Sequence, residues 1–322
     1  MRALVTGGTG FIGSHIIEAL LGAGDQVTVL FRTPRKAAGL EERGVRLVPG
    51  DLSNVEALRT AARDQDVIYH LGGLVAAHTE KGFFAVNRDG TARVLAAAAQ
   101  VSRARVVFIS SLAAAGPSPR GGRRHGDERA EPVSGYGRSK LAGEEVVRAG
   151  TLPWTIIRPP GVYGPRDPEF LRVFKAVRYP VIPVFGDGGQ ELSLVYVVDL
   201  ARALVAVGRS EAAIGGIFYP CHPEVVTSAG FANTVAGAMG RRIRLVSLPR
   251  WFAGGLFGIT ATAARLTGGT TLLTPDKANE LFAAAWTADP EPLTAATGWR
   301  AEYDLLRGTR ATAEWYRSAG WL

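Results

Sequence analysis

"LVTGGTGFIG", residues 4–13, decides how this chain folds. An apolar run ends at Thr6 and gives way to Gly7, Gly8, Gly10 and Gly13. The next stretch, "SHIIEALLGAG" (14–24), places Ile16, Ile17, Leu20 and Leu21 on one helical face and stops at Gly22 and Gly24. Glycine loses more conformational entropy on folding than any other residue, so the cluster needs a reason. A tight strand-to-helix turn is one. The other is a seat where bare backbone meets a ligand's charge. The spacing Gly7, Gly10, Gly13, after a strand and at the head of a helix, favours the second. Such a turn brings the backbone, with Phe11 and Ile12, against a pyrophosphate whose charge meets the positive helix N-terminus.

Working outward, strands and helices alternate. "QVTVLFR", "VRLVPGDL", "DVIYHLGG", "RVVFISS" and "WTIIRPP" read as strands; "VEALRTAARDQ", "GTARVLAAAAQV" and "YGRSKLAGEEVVRAG" read as helices between them. This order predicts an α/β fold, a doubly wound parallel sheet of Rossmann type with helices on both faces. The regularity fades after Gly161, and five of the six tryptophans come at or after Trp251. The expected division is a dinucleotide-binding domain over 1–164, to which 192–222 returns. A smaller, mostly C-terminal substrate-binding lobe then comprises 165–191 and 223–322.

Composition narrows the classes of function. The 322 residues are 47% hydrophobic, enough for a sizeable core. The net charge of +8 is scattered, and the densest basic run, "RGGRRHGDER" (120–129), carries Asp127 and Glu128. That run reads as a solvated loop, and no nucleic-acid partner is expected. Cys221 stands alone and reads as an inert buried thiol in a reducing, cytoplasmic setting, with no signal peptide visible. His15, His70, His78, His125 and His222 lack metal-ligand spacing, so no metal is expected. "WFAGGLFGITATAARL" (251–266) carries an apolar helical stripe but is too short to span a bilayer. A core helix is its first reading; a lid over the substrate or a patch giving weak membrane-surface association is the alternative.

Three further clusters carry chemistry. The second strand ends "VLFRTPRK", with no acid to accept hydrogen bonds from ribose hydroxyls but with Arg32, Arg35 and Lys36 to pair with a 2′-phosphate. NADP(H) is therefore the expected cofactor, with NAD(H) the alternative. Tyr136 and Lys140 stand four residues apart on one helix, so both side chains face the same way. A nearby ammonium would bring the phenol closer to useful acid–base chemistry. Ser110 and Ser111 end a buried strand, where such sheets bind ligands; capping a turn is their ordinary alternative.

Taken in order, "TGGTGFIG", "GDL", "HLGG", "VNRDGT", "FISSLAAAG", "YGRSK", "IRPPGVYGPRD" and "FGDGG…VYVVDLARA" resemble the extended short-chain dehydrogenase/reductase family, which includes NAD(P)-dependent epimerases and dehydratases. The resemblance covers nearly the whole chain. It implies that Asp51 and Leu52 flank the adenine, and that Leu71, Gly72, Asn87 and Ser110 line the cofactor. Pro159 and Val162 would meet the nicotinamide end. Ser111 takes the catalytic serine position, Tyr136 passes the proton and Lys140 holds the nicotinamide ribose. His78, Leu112 and Tyr163 are candidate substrate contacts, with packing the other reading of Tyr163.

The departures from the family pattern are informative. Leu112 and Ala113 follow Ser111 where dehydratases have an Asp–Glu pair. Gly161 and Leu192 stand where nucleotide-sugar epimerases tend to have Asn and Arg, although Arg166 could substitute. The remaining resemblance is to the dihydroflavonol reductase and 3β-hydroxysteroid dehydrogenase branch. It implies an NADP(H)-dependent reductase of a fairly apolar carbonyl compound, or the reverse alcohol oxidation. A sugar epimerase is the alternative, and a homodimer is common in the family.

Overall fold

The computed structural model describes residues 1–248 and 279–322. The first half runs β1 (Arg2–Thr6), α1 (Phe11–Gly22), β2 (Gln26–Phe31), α2 (Pro34–Ala37), β3 (Arg46–Pro49), α3 (Val55–Ala62), β4 (Val67–His70), α4 (Glu80–Asn87), α5 (Asp89–Val101), β5 (Arg105–Ile109), α6 (Leu112–Ala115), α7 (Gly135–Ala149) and β6 (Trp154–Ile157). The second half runs β7 (Gly161–Tyr163), α8 (Leu171–Ala176), β8 (Val181–Phe185), β9 (Glu191–Leu192), β10 (Leu194–Tyr196), α9 (Val197–Arg209), β11 (Ile217–Phe218), β12 (Val226–Thr227), α10 (Ser228–Ala238), β13 (Arg244–Leu248), β14 (Ala285–Trp286), α11 (Glu291–Thr297) and α12 (Leu305–Ser318).

Seven strands form one parallel sheet in the order β11-β6-β5-β4-β1-β2-β3. The strand order reverses at β1, whose neighbours are β2 and β4, and the crevice at the carboxyl ends there is where such sheets take ligands. Strand alternation explains the apolar runs. Ala3, Val5, Val29, Val107 and Ile109 face a core shared with Ile16, Ile17 and Leu20 of α1. Leu4, Leu30, Ile68, Val106 and Phe108 face the opposite core, with Leu58 of α3 and Val94 of α5. Both faces are covered, so the strands are apolar over most of their length, and buried polar members such as Thr6 and His70 pair with each other.

The chain leaves the sheet after β6 and returns. β10 pairs in parallel with β7, α9 packs on α1, and β11 joins the sheet's edge beside β6. A second core gathers Phe174, Phe231, Val235, Ala313 and Tyr316. The C-terminal third is not confined to this lobe, which departs from the expected 223–322 unit. Leu293 and Trp299 are buried in the core of the large sheet. The Trp299 indole donates to Asp199 O at 3.1 Å, and the Asp199 carboxylate accepts from the backbone of Glu302 and Tyr303 at 3.2 and 3.0 Å. The stripe at 251–266 lies outside the described residues. Among the described residues, no helix is long and apolar enough to cross a membrane.

Candidate active site

The glycine turn is built by close approach. Gly7 takes φ +74°, and a Cβ there would stand 2.9 Å from Gly72 N and from Leu71 C. The turn therefore presses directly on the end of β4. A Cβ on Gly13 would lie 2.2 Å from Gly7 O, so only glycine lets α1 start this close to β1. Gly10 is the N-cap of α1, which has no side-chain cap and no acid in its first turn. Its first N–H groups are thus left for an external acceptor, the arrangement that fits a pyrophosphate.

At the ends of β2 and β3, Phe31, Arg32, Gly50, Asp51, Ser53 and Asn54 line a recess of about 390 Å³. Arg32, Arg35 and Lys36 are all exposed. Asp51 Oδ1 accepts from Ser53 Oγ and N at 2.6 and 2.8 Å, and these bonds, with the charge of Arg32, hold its carboxyl below the usual range. Leu52 packs under the turn, with its Cδ1 3.2 Å from where a Gly72 Cβ would stand.

The loop after β4 is held by Asn87. Its Nδ2 donates to Leu74 O at 3.0 Å and Ser139 Oγ at 2.9 Å, while its Oδ1 accepts from Leu74 N at 2.8 Å. The Asn87 side chain therefore shapes the wall formed by Leu71 and Gly72 and ties it to α7. His70 bonds Thr6 and Thr91 side chains at 2.6 and 3.0 Å, and full burial pushes its imidazole down to about 3. It is a neutral structural group. His78 lies exposed on the loop before α4.

Ser111, Tyr136 and Lys140 converge at the end of β5. Ser111 is the N-cap of α6, its Oγ accepting from Ala113 N at 3.1 Å, and its side chain also hydrogen-bonds Tyr136. It combines a capping role with contact to the phenol. Burial raises Tyr136 to about 12, Ser111 opposes the shift, and Glu280 reinforces it. Lys140 Nζ donates to Ile109 O at 2.6 Å and lies 4.6 Å over the Phe108 ring; burial pushes it down to about 8, against the pull of Glu144. The ammonium thus points at the strand end, and the phenol is not brought towards ionisation as its neighbourhood suggested.

Beneath them lies a group with no obvious signature in the sequence. Glu144, fully buried, accepts from Arg158 Nε and Nη2 at 2.9 and 2.7 Å, and Arg158 donates to Tyr219 Oη at 2.7 Å. Ser110 Oγ donates to Glu144 Oε1 at 2.5 Å and its backbone N–H to Ile157 O at 2.7 Å, so its side chain serves this network rather than a cofactor. The one available signal was spacing: Glu144 follows Lys140 by one helical turn.

Several candidates fall elsewhere. Tyr163 is fully buried among Phe170, Tyr196 and Phe231, with its hydroxyl 3.3 Å from His222 Nε2. It is a packing residue at the lobe junction, not a substrate contact. Leu112 is also buried, against Tyr219, Cys221 and Ala288, which removes it from the substrate surface. Pro159 O accepts from Leu112 N at 2.9 Å and so fixes the serine turn, while Val162 is half-buried against the large core. Arg166 is engaged by Ser14 Oγ at 2.9 Å and Glu18 at 2.7 Å.

With this geometry in place, residues 3–218 match the family model described as the NAD dependent epimerase/dehydratase family. The chain belongs to that family. It is an NAD(P)-dependent enzyme of the extended short-chain dehydrogenase/reductase type. It is 35% identical over 322 residues to a ceramide reductase of Caulobacter vibrioides, covering 99% of this chain and 95% of that protein. A 2-alkyl-3-oxoalkanoate reductase of Shewanella oneidensis is 26% identical, with 82% and 73% covered. Among solved structures, Thermus thermophilus UDP-glucose 4-epimerase complexed with NAD superposes with a TM-score of 0.78 at 27% identity, covering 99% of this chain and 100% of that one. A Bacillus cereus UDP-glucuronic acid 4-epimerase gives 0.79 at 23% identity, with 99% and 100% covered, a likeness of fold.

Proposed function

We propose that this enzyme is an NADP(H)-dependent reductase that converts a ketone on an apolar, chain-like substrate to the secondary alcohol. The observation that carries the reading is the Ser111–Tyr136 hydrogen bond with Lys140 one helical turn on, in a chain 35% identical end to end to a ceramide reductase. A reduced nicotinamide bound against these residues would supply the hydride chemistry. Ser111 holds the carbonyl oxygen, and Tyr136, protonated across the neutral range, gives that oxygen its proton. Lys140 holds the nicotinamide ribose, and the uncapped start of α1 holds the pyrophosphate. Arg32 pairs with the 2′-phosphate. Preorganised donors aimed at the developing alkoxide supply most of the rate enhancement.

The nucleotide-sugar reading is disfavoured at Gly161. The asparagine that tends to hold a sugar diphosphate is absent there, and a Cβ in its place would stand 2.8 Å from Leu194 Cδ2, which would have to shift to admit it. The test follows reduced-cofactor absorbance with 2-alkyl-3-oxoalkanoates and other apolar ketones of increasing length, and separately with UDP-glucose and UDP-glucuronate. Stoichiometric NADPH consumption with ketones is expected. Sugar isomerisation without net consumption would overturn the reading. Tyr136→Phe should cut turnover by about 10²–10⁴-fold while leaving cofactor affinity unchanged.

A further inference from the structure

The C-terminal lobe brings one carboxylate to the N-cap of the helix that carries Tyr136. Glu280 is 9% exposed and accepts a short hydrogen bond from Ser134 Oγ, 146 residues away in sequence. Ser134 is the N-cap of α7 and accepts in turn from Gly137 N at 3.1 Å, so the contact lies at the helical turn that presents Tyr136. The segment bearing Glu280 is firmly placed. Gln190 Nε2 donates to the carbonyls of Glu280, Leu281 and Ala283 at 3.0, 3.1 and 2.8 Å. The Trp286 indole donates to Glu280 O at 2.7 Å, and Asn279 Nδ2 reaches Val133 O at 3.3 Å.

We infer that Glu280 is a positioning residue for Tyr136: through Ser134 it fastens the second lobe to the start of the helix that bears the tyrosine and sets its own carboxylate at the turn that presents the phenol. This rests on the reductase reading for its purpose, because a ketone reductase needs the phenol protonated and an alcohol oxidase needs it ionised. A carboxylate disfavours a second negative charge nearby, and Glu280 acts on Tyr136 in that sense, alongside burial. Among the described residues, groups near the phenol include Ser111 from the β5–α6 turn and the Phe83 ring of α4 at 5.9 Å; Lys140, one turn on along α7, bonds Ile109 O. The Arg138–Glu80 ion pair bridges α7 and α4 among exposed side chains. A helix cap alone would affect stability and leave the tyrosine's titration where it was.

The experiment reads that titration without a substrate. The protein is labelled with 3-fluorotyrosine, the Tyr136 resonance is assigned by its loss in Tyr136→Phe, and its ¹⁹F shift is followed against pH. Glu280→Gln keeps the acceptor for Ser134 and removes the charge; the Tyr136 midpoint should fall by about half to one pH unit. Glu280→Asp draws the charge back and should give a smaller shift in the same direction, a second reading if the glutamine variant does not fold. An unchanged midpoint in a folded variant overturns the inference. Failure of every ketone in the turnover assay would overturn the reductase reading instead, and the titration would still decide the role of Glu280.

Discussion

Gly13→Ala tests whether the approach of α1 to β1 is limited by a single hydrogen-sized gap. The new Cβ would meet Gly7 O at 2.2 Å, Gly8 Cα at 2.6 Å and Gly8 C at 2.8 Å, all backbone atoms that no rotamer change can clear. Carbon contacts are comfortable near 3.5–4.0 Å, so the head of α1 must withdraw by roughly 1 Å. Overpacking of this kind costs about 1–3 kcal/mol. Alanine's higher helix propensity returns at most about 1 kcal/mol, leaving a net loss. Gly22, in the same helix, has nothing within 4 Å of its Cβ position, so Gly22→Ala should be neutral or stabilising by up to about 1 kcal/mol. The withdrawn turn also moves the N–H groups offered to the pyrophosphate. Losing about 1.4 kcal/mol there weakens cofactor binding tenfold. Thermal unfolding and NADPH fluorescence titration of both variants check this. If Gly13→Ala melts with Gly22→Ala and binds NADPH like the parent, the steric reasoning fails.

Arg32→Asp should weaken NADPH at least about tenfold and spare or improve NADH, measured as the two dissociation constants; an unchanged ratio removes Arg32 from the 2′-phosphate site. Because burial lowers Lys140 to about 8, its ammonium disappears as pH rises through that value. Cofactor affinity should fall over the same range, and Lys140→Met should abolish that pH dependence. The sign for folding is the reverse: an unfolded lysine stays protonated to about 10.4, so this residue makes stability rise between about 8 and 10.4. Glu144→Gln leaves the Arg158 guanidinium, 2% exposed, without its countercharge and should cost about 3–5 kcal/mol by denaturant unfolding. Replacing both by apolar residues of similar volume should recover much of the loss.

The large sheet was legible in the sequence because its signals are local. The glycine turn, the apolar strand runs and the stripe Ile16, Ile17, Leu20 each fit within about a dozen residues, and both faces of the sheet are buried. That Tyr136 and Lys140 share one helix was legible for the same reason, since they stand one helical turn apart. What could not be read depends on tertiary partners. Glu280 meets Ser134 across 146 residues, and nothing near either of them marks the pairing. Tyr163 sits in a motif shared with the site, yet the fold turns its ring into the junction between the lobes. Within "ELSLVY" (191–196) the break at Ser193 likewise depends on distant partners: Glu191–Leu192 pairs with β12 and β14, and Leu194–Tyr196 with β7.

The burial of Leu293 and Trp299 in the large core bears on how the molecule is made. A nucleotide-binding half emerging first from the ribosome would still lack these two side chains, along with the Trp299 indole that bonds Asp199 O. Its nascent sheet would wait with an open seam along α9 until residues 293–299 had been synthesised. The order of synthesis and the order of core completion therefore do not coincide. A protein cut near residue 223 would leave its cofactor-binding fragment without the Leu293 and Trp299 side chains that fill this core.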